Sequence, residues 1–120
     1  MKKVLIVDDS AFMRRMTRNV LTSHGFEIVG EAENGKVGIS KFQELKPDLV
    51  TMDVTMTEMN GLDALRQIIS IDPDAVVMMI SSMGQEVIVR DAIVLGAKGF
   101  IVKPYDEDQL IAAIKKLFKD

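Results

Sequence analysis

Val4-Leu5-Ile6-Val7-Asp8-Asp9-Ser10 decides the fold: an unbroken apolar run, rich in β-branched residues, stops on two adjacent carboxylates. A strand with one wet face alternates polar and apolar residues, whereas a strand buried on both faces reads as a continuous apolar run. Val4 to Val7 is of the second kind. Burial on both faces needs helices above and below the sheet. The run therefore predicts a parallel sheet in an α/β layer arrangement.

Outward from this run the chain alternates as such a sheet requires. Phe12, Met13, Met16, Val20 and Leu21 recur at helical spacing, and Gly25 supplies a stop. Residues 27–33 read as a second strand. Asn34-Gly35 opens a helix carrying Val37, Ile39, Phe42 and Leu45, which Pro47 ends. Residues 48–53 give a third strand, followed by a loop through Gly61. Leu62, Leu65, Ile68 and Ile69 mark a third helix closed by Asp72-Pro73. Residues 75–80 form a fourth strand, 84–95 a fourth helix capped by Gly96, and 98–102 a fifth strand before Pro104. The last helix has Asp106, Glu107 and Asp108 at its start and Lys115, Lys116 and Lys119 near its end, matching the helix dipole. Five strands alternating with five helices imply βαβ units. With no repeat, low-complexity tract or linker, residues 1–120 are expected to form one domain.

Length and composition agree. At 120 residues the chain can hide well over half of its extended surface, so the core needs no staples. Cysteine is absent, which removes disulfides and thiolate metal sites and fits a reducing cytoplasm. The net charge of −3 and a pI near 5.2 argue against generic nucleic-acid binding. Lys2, Lys3, Arg14, Arg15 and Arg18 make the N-terminal portion locally basic, and a solvated helix face accounts for them. The apolar run after Lys2-Lys3 is too short for a secretory signal, and nothing approaches the ~20 apolar residues of a membrane helix. A soluble, cytoplasmic protein is expected.

In an open α/β sheet the ligand crevice lies beyond the carboxyl ends of the strands. The first strand ends in Asp8-Asp9, the third in Asp53, the fourth in Ser81-Ser82 and the fifth in Lys103-Pro104. If strands one, three, four and five are neighbours, these residues meet at one edge. Three carboxylates together repel one another, and a hard divalent cation such as Mg²⁺ relieves this. A lysine can hold a phosphoryl oxygen, and a serine hydroxyl can donate to another. Together they suit charge spread over a transferring phosphoryl group. Asp53 closes a central strand before an open loop, so it is the expected nucleophile; Asp8 and Asp9 share one turn and suit metal binding. Singly, each residue has a plainer use. Asp8, Asp9 or Ser10 could cap the first helix, Asp53 could be a turn residue, Ser81 or Ser82 a cap, and Lys103 a solvated lysine. The convergence from four strand ends is what points to one phosphoryl site.

Four segments carry a resemblance: VLIVDDSAFMRR (4–15), DLVTMDVTMTEMNG (48–61), MMISSMGQE (78–86) and GAKGFIVKPY (96–105). Together they resemble the receiver domains of bacterial two-component response regulators, most of all the single-domain chemotaxis regulators. The resemblance spans essentially the whole chain. It implies a doubly wound, flavodoxin-like parallel sheet of order 2-1-3-4-5 and a receiver domain over 1–120 with no output domain. It also implies that Asp8 and Asp9 are the acidic pair and Asp53 the phosphorylated aspartate. Mg²⁺, with Mn²⁺ as an alternative, would be held by these carboxylates and the backbone carbonyl of Thr55. Ser81 takes the hydroxyl position, Lys103 the lysine position and Phe100 the aromatic switch position. Pro104 would follow a cis peptide bond. Where the family usually has Met-Pro, this chain has Met56-Thr57, which is expected to loosen the loop and alter phosphoryl lifetime.

The implied function is uptake of a phosphoryl group from a histidine kinase, without enzyme turnover beyond self-phosphorylation and autodephosphorylation. Output would pass by protein contact, as to a flagellar motor switch protein, through the fourth helix, fifth strand and last helix. A phosphatase is a further expected partner; nucleic acid and membrane are not, and the chain is expected to be a monomer or weak dimer. In the fourth helix, Val89, Ala92, Ile93 and Gly96 fit a core-facing stripe, leaving Val87, Ile88, Val94 and Leu95 for its edges and outer surface. Met52, Met78 and Met79 read as core, Met56, Met59 and Met83 as neighbours of the site, and His24 as a capping or surface group. Alternatives are a phosphorelay intermediate, a stand-alone receiver of another pathway, and an aspartate-nucleophile phosphatase. The phosphatase needs an acid two residues after the nucleophile, where this chain has Thr55. A flavodoxin-like cofactor binder needs a Ser-, Thr- and Gly-rich first loop, where this chain has Asp8-Asp9-Ser10.

Overall fold

The computed structural model describes residues 2–54, 56, 59–82 and 86–118. Strands and helices alternate: β1 (Lys3–Val7), α1 (Ala11–Ser23), β2 (Glu27–Ala32), α2 (Gly35–Leu45), β3 (Leu49–Asp53), α3 (Gly61–Ile71), β4 (Val77–Ser81), α4 (Glu86–Val94), β5 (Gly99–Val102) and α5 (Glu107–Leu117). All pairings are parallel, in the order β2-β1-β3-β4-β5. This is the doubly wound sheet that the sequence predicts.

Burial on both faces of the sheet follows the two-residue period of a strand. Leu5 and Val7 of β1, Val50 and Met52 of β3, and Val77 and Met79 of β4 pack with Phe42 of α2, Leu65 and Ile68 of α3 and Ala92 of α4. Their neighbours Val4, Ile6, Leu49, Met78 and Ile80 pack on the other face, with Leu21 of α1 and Leu110, Ile111 and Ile114 of α5. The middle of the sheet is sealed, and polar chemistry is left to its edges.

Helix starts are fixed locally. Ser10 Oγ accepts from the Met13 N–H at 3.2 Å, Asn34 Oδ1 from Val37 at 2.9 Å, and Asn60 Oδ1 from Asp63 at 3.0 Å. Asp106 and Gln109 cap each other reciprocally at the start of α5. Gly96 follows α4 with φ +112°, which a side chain would strain, so it ends the helix there.

Several elements depart from the pattern read in the sequence. Phe12 is 69% exposed and Met16 is also exposed; the buried positions of α1 are Thr17 and Leu21. On α4, Ile93 is 51% exposed rather than core-facing, while Ile88, fully buried Ala92 and, just past the helix, Leu95 pack in the core. The cause is rotation of the stripe: helical spacing fixes which residues share a face, not which face the sheet takes. α2 ends at Leu45 with Lys46 in the left-handed region, before Pro47 can act. His24 follows α1 as a cap, its Nδ1 lying 3.0 Å from the Val20 carbonyl and 3.5 Å from Glu107 Oε1. Met83 and the side chain of Val87 lie outside the described residues.

Candidate functional site

Register assembles the site. β1 pairs with β3 so that Val7 faces Met52, and one residue further Asp8 comes beside Asp53. β4 pairs with β5 so that Ser81 faces Val102, and the next residue is Lys103, whose N–H donates to the Ser81 carbonyl at 2.7 Å. Asp8 and Asp53 continue the rows of Val4 and Ile6 and of Leu49 and Thr51, on the α1–α5 side of the sheet. These residues meet in the crevice beyond the carboxyl ends of the strands, a rule that chemotaxis receivers themselves exemplify.

Lys103 Nζ stands 3.8 Å from Asp8 Oδ2 and 3.8 Å from Asp53 Oδ2. At that range the link is charge pairing rather than a hydrogen bond, so the ammonium is shared between the carboxylates. Asp8 and Asp53 are only 6% and 7% exposed, Ser81 is fully buried, and Asp9 is exposed. Burial raises the Asp8 carboxyl above its ordinary value; the Ser10 N–H and Lys103 pull it back, nearby Asp9 adds to the rise, and Arg14 lowers it. Asp8 bears this burial at the bend from strand to helix, where its Oδ1 accepts the Ser10 N–H at 2.9 Å. Helix capping itself falls to Ser10.

The donor set suits a hard cation. One carboxylate oxygen from each of Asp8, Asp9 and Asp53 lies within 4.8 Å of the others. That spacing is close to the about 4 Å separating opposite oxygen ligands of one Mg²⁺ ion. Three acids against one shared lysine leave the cluster negative, which a divalent ion would offset.

Ser82 is exposed, and Phe100 on β5 is half-buried against the α2–α4 side of the core. The Lys103–Pro104 peptide bond is cis. Met56 and Met59 pack against the core beside the loop that follows Asp53. Thr55 and Thr57 lie outside the described residues.

Other residues shape the site without standing out in the sequence. Gly61 donates its N–H to the Val54 carbonyl at 2.8 Å, and a Cβ there would run into the Asp53 carbonyl oxygen. Only glycine lets α3 begin so close to β3. Arg14, read from sequence as part of a solvated face, instead donates Nη1 to the Asp8 carbonyl at 2.6 Å and Nε to Glu31 Oε1 at 3.2 Å. Its four-residue distance from Ser10 was the available signal, because it points a long side chain back over the strand end.

The fold and this edge define a class. The chain belongs to the response regulator receiver domain family, whose model matches residues 4–115. Within that family it is similar to the chemotaxis protein CheY of Thermotoga maritima, 52% identical over 98% of each chain. It is also similar to CheY of Bacillus subtilis, 54% identical over 95% of each chain. Among solved structures, a CheX–CheY–BeF3–Mg²⁺ complex from Borrelia burgdorferi contains a chain that matches with a TM-score of 0.97 and 38% identity, covering 99% of this chain and 90% of that one.

Proposed function

We propose that this chain is a phospho-accepting chemotaxis response regulator that carries its phosphoryl group on Asp53. The observation that supports this best is the position of Lys103, equidistant at 3.8 Å from Asp8 and Asp53 at the carboxyl edge of the sheet. An Asp53 carboxylate oxygen attacks phosphorus in a kinase phosphohistidine. The P–N bond breaks, imidazole leaves, and an acyl phosphate remains on Asp53. Water later attacks the same phosphorus, the P–O bond to Asp53 breaks, and inorganic phosphate departs. Both steps are reactions of the chain's own side chain, so the protein is not an enzyme in the usual sense.

Asp8, Asp9 and Asp53, with the backbone carbonyl of Thr55, are the proposed holders of Mg²⁺; Mn²⁺ suits the same oxygen set. When bound, the ion supplies charge that offsets the phosphoryl oxygens. Lys103 exchanges its carboxylate partners for a phosphoryl oxygen, and the Ser81 hydroxyl donates to another. Movement of Ser81 frees space for Phe100 to rotate inward, which biases the α4–β5–α5 face between two arrangements. Exposed Ile93, Val94 and Val102 offer that face apolar contacts for a flagellar motor switch protein. The proposed setting is cytoplasmic; no described helix is long and apolar enough to cross a membrane.

Labelled phosphodonor with Mg²⁺ should label the wild type and leave Asp53→Asn unlabelled. Equal labelling of the variant would move the phosphoryl group to another residue. A transfer profile across the histidine kinases of the source organism should favour a chemotaxis kinase; preference for another kinase would assign a different pathway.

A further inference from the structure

We propose that Arg14 is a positioning residue for the cation site, holding Asp8 so that one of its oxygens faces the ion. The inference rests on the receiver reading above. It is carried by the way Asp8 is tethered. Its N–H donates to the Ala32 carbonyl at 3.0 Å, its carbonyl accepts Arg14 Nη1 at 2.6 Å, and its Oδ1 accepts the Ser10 N–H at 2.9 Å. Oδ2 is the oxygen turned toward Lys103. Both backbone polar groups of Asp8 and one side-chain oxygen are therefore committed to fixing the direction of the other oxygen.

Arg14 can hold Asp8 because it is itself anchored. Nε meets Glu31 Oε1 at 3.2 Å, and the second Glu31 oxygen meets Arg18 Nη1 at 3.2 Å. The Glu31 carbonyl accepts Lys41 Nζ at 2.6 Å, tying β2 to α2. The guanidinium thus spans from α1 to the ends of β1 and β2, with its side chain only 17% exposed. A planar fork can serve a carbonyl and a carboxylate at once; a lysine ammonium is a point charge on a flexible stem and fixes neither direction. Groups one step behind a metal ligand orient it and govern affinity in this way.

Charge and positioning predict opposite signs, which makes the role testable. As a cation near the site, Arg14 repels an incoming dication, so removing its charge would raise Mg²⁺ affinity. As a positioner, its loss lowers affinity. In calorimetric titration with MgCl2, Arg14→Met is expected to bind roughly ten-fold more weakly than wild type. Arg14→Lys, which keeps the charge, should weaken binding by a comparable factor. Glu31→Gln keeps Arg14 but loosens its anchor, and should weaken binding in the same direction but less than Arg14→Met does; it also serves if Arg14→Met fails to fold. Unfolding in EDTA separates a general loss of stability, which would lower the midpoint and leave the affinity of folded protein unchanged. Unchanged or increased affinity in Arg14→Met, with wild-type affinity in Arg14→Lys, would overturn the proposal. Absence of Mg²⁺ binding by the wild type would sink the receiver reading instead.

Discussion

Leu5 and Asp8 lie three positions apart at β1 and its end, and both are hidden from solvent, but burial acts on them with opposite sign. Removing Leu5 from water stabilises the fold in proportion to the apolar area hidden. Removing Asp8 from water disfavours its charge, and the cost is only partly offset by Ser10 and Lys103. The same step from a buried apolar to a buried polar side chain recurs between Met52 and Asp53 on β3, and between Ile80 and Ser81 on β4. A strand therefore changes character within a residue or so: its middle is apolar and holds the sheet together, and its carboxyl end carries a polar side chain at the candidate site. Stability and ligand binding should respond separately to changes in the two regions.

The largest separation is expected from Leu5→Ala. Leu5 is fully buried in the α2–α4 side of the core, so truncation should cost about 3 kcal/mol, read as a fall in urea midpoint at constant slope. Mg²⁺ affinity of the folded variant should match wild type. A parallel loss of affinity would mean that the middle and the edge of the strand are not independent.

Asp8→Asn tests the opposite region and should do the opposite. Without Mg²⁺ the variant should unfold at a higher temperature, because a carboxylate disfavoured by burial becomes a neutral amide. With saturating Mg²⁺ the order should reverse, since the wild type alone gains from tight binding. The pH dependence follows from the raised Asp8 pKa. The folded chain binds this proton more tightly than the unfolded chain, so the group stabilises the fold below its ordinary value, and that contribution is lost as pH rises through the raised value. Asp8→Asn should flatten this part of the metal-free stability profile. A variant less stable than wild type in EDTA would show that Asp8 serves the fold through its contacts more than it strains it.

The two regions also differ in how they could be read from sequence. The middles of the strands were legible because two-sided burial leaves a continuous apolar run, and β1, β3 and β4 lie where those runs fall. Their limits moved by a residue or two: β2 stops at Ala32, β3 starts at Leu49, and β4 runs from Val77 to Ser81. These limits depend on pairing with a neighbour, which is not a local property. The edge was legible as residue types at strand ends, since Asp8, Asp53, Ser81 and Lys103 each interrupt an apolar pattern. Arg14 and Glu31 were not, because each looks like an ordinary surface charge until α1 is laid against β2. Ile93 was misread for a related reason: the pattern on α4 admits more than one buried face, and contact with the sheet chooses among them.

The smallest effect concerns a polar group in the middle region. Thr51 is 1% exposed on β3, and among the described residues its Oγ1 has no hydrogen-bond partner. It lies in the same row of the strand as Asp53, two positions before it, where Leu49 has a fully buried apolar side chain. A buried hydroxyl without a partner costs about 1 kcal/mol or more, and Val keeps the branched shape while removing that oxygen. Thr51→Val should therefore raise stability by about 1 kcal/mol in urea unfolding and leave Mg²⁺ affinity unchanged. A loss of stability would mean that the hydroxyl is satisfied in solution. A gain in stability with weaker Mg²⁺ binding would be more informative, because it would extend the functional edge inward along β3 from Asp53 to Thr51 and narrow the region devoted to stability alone.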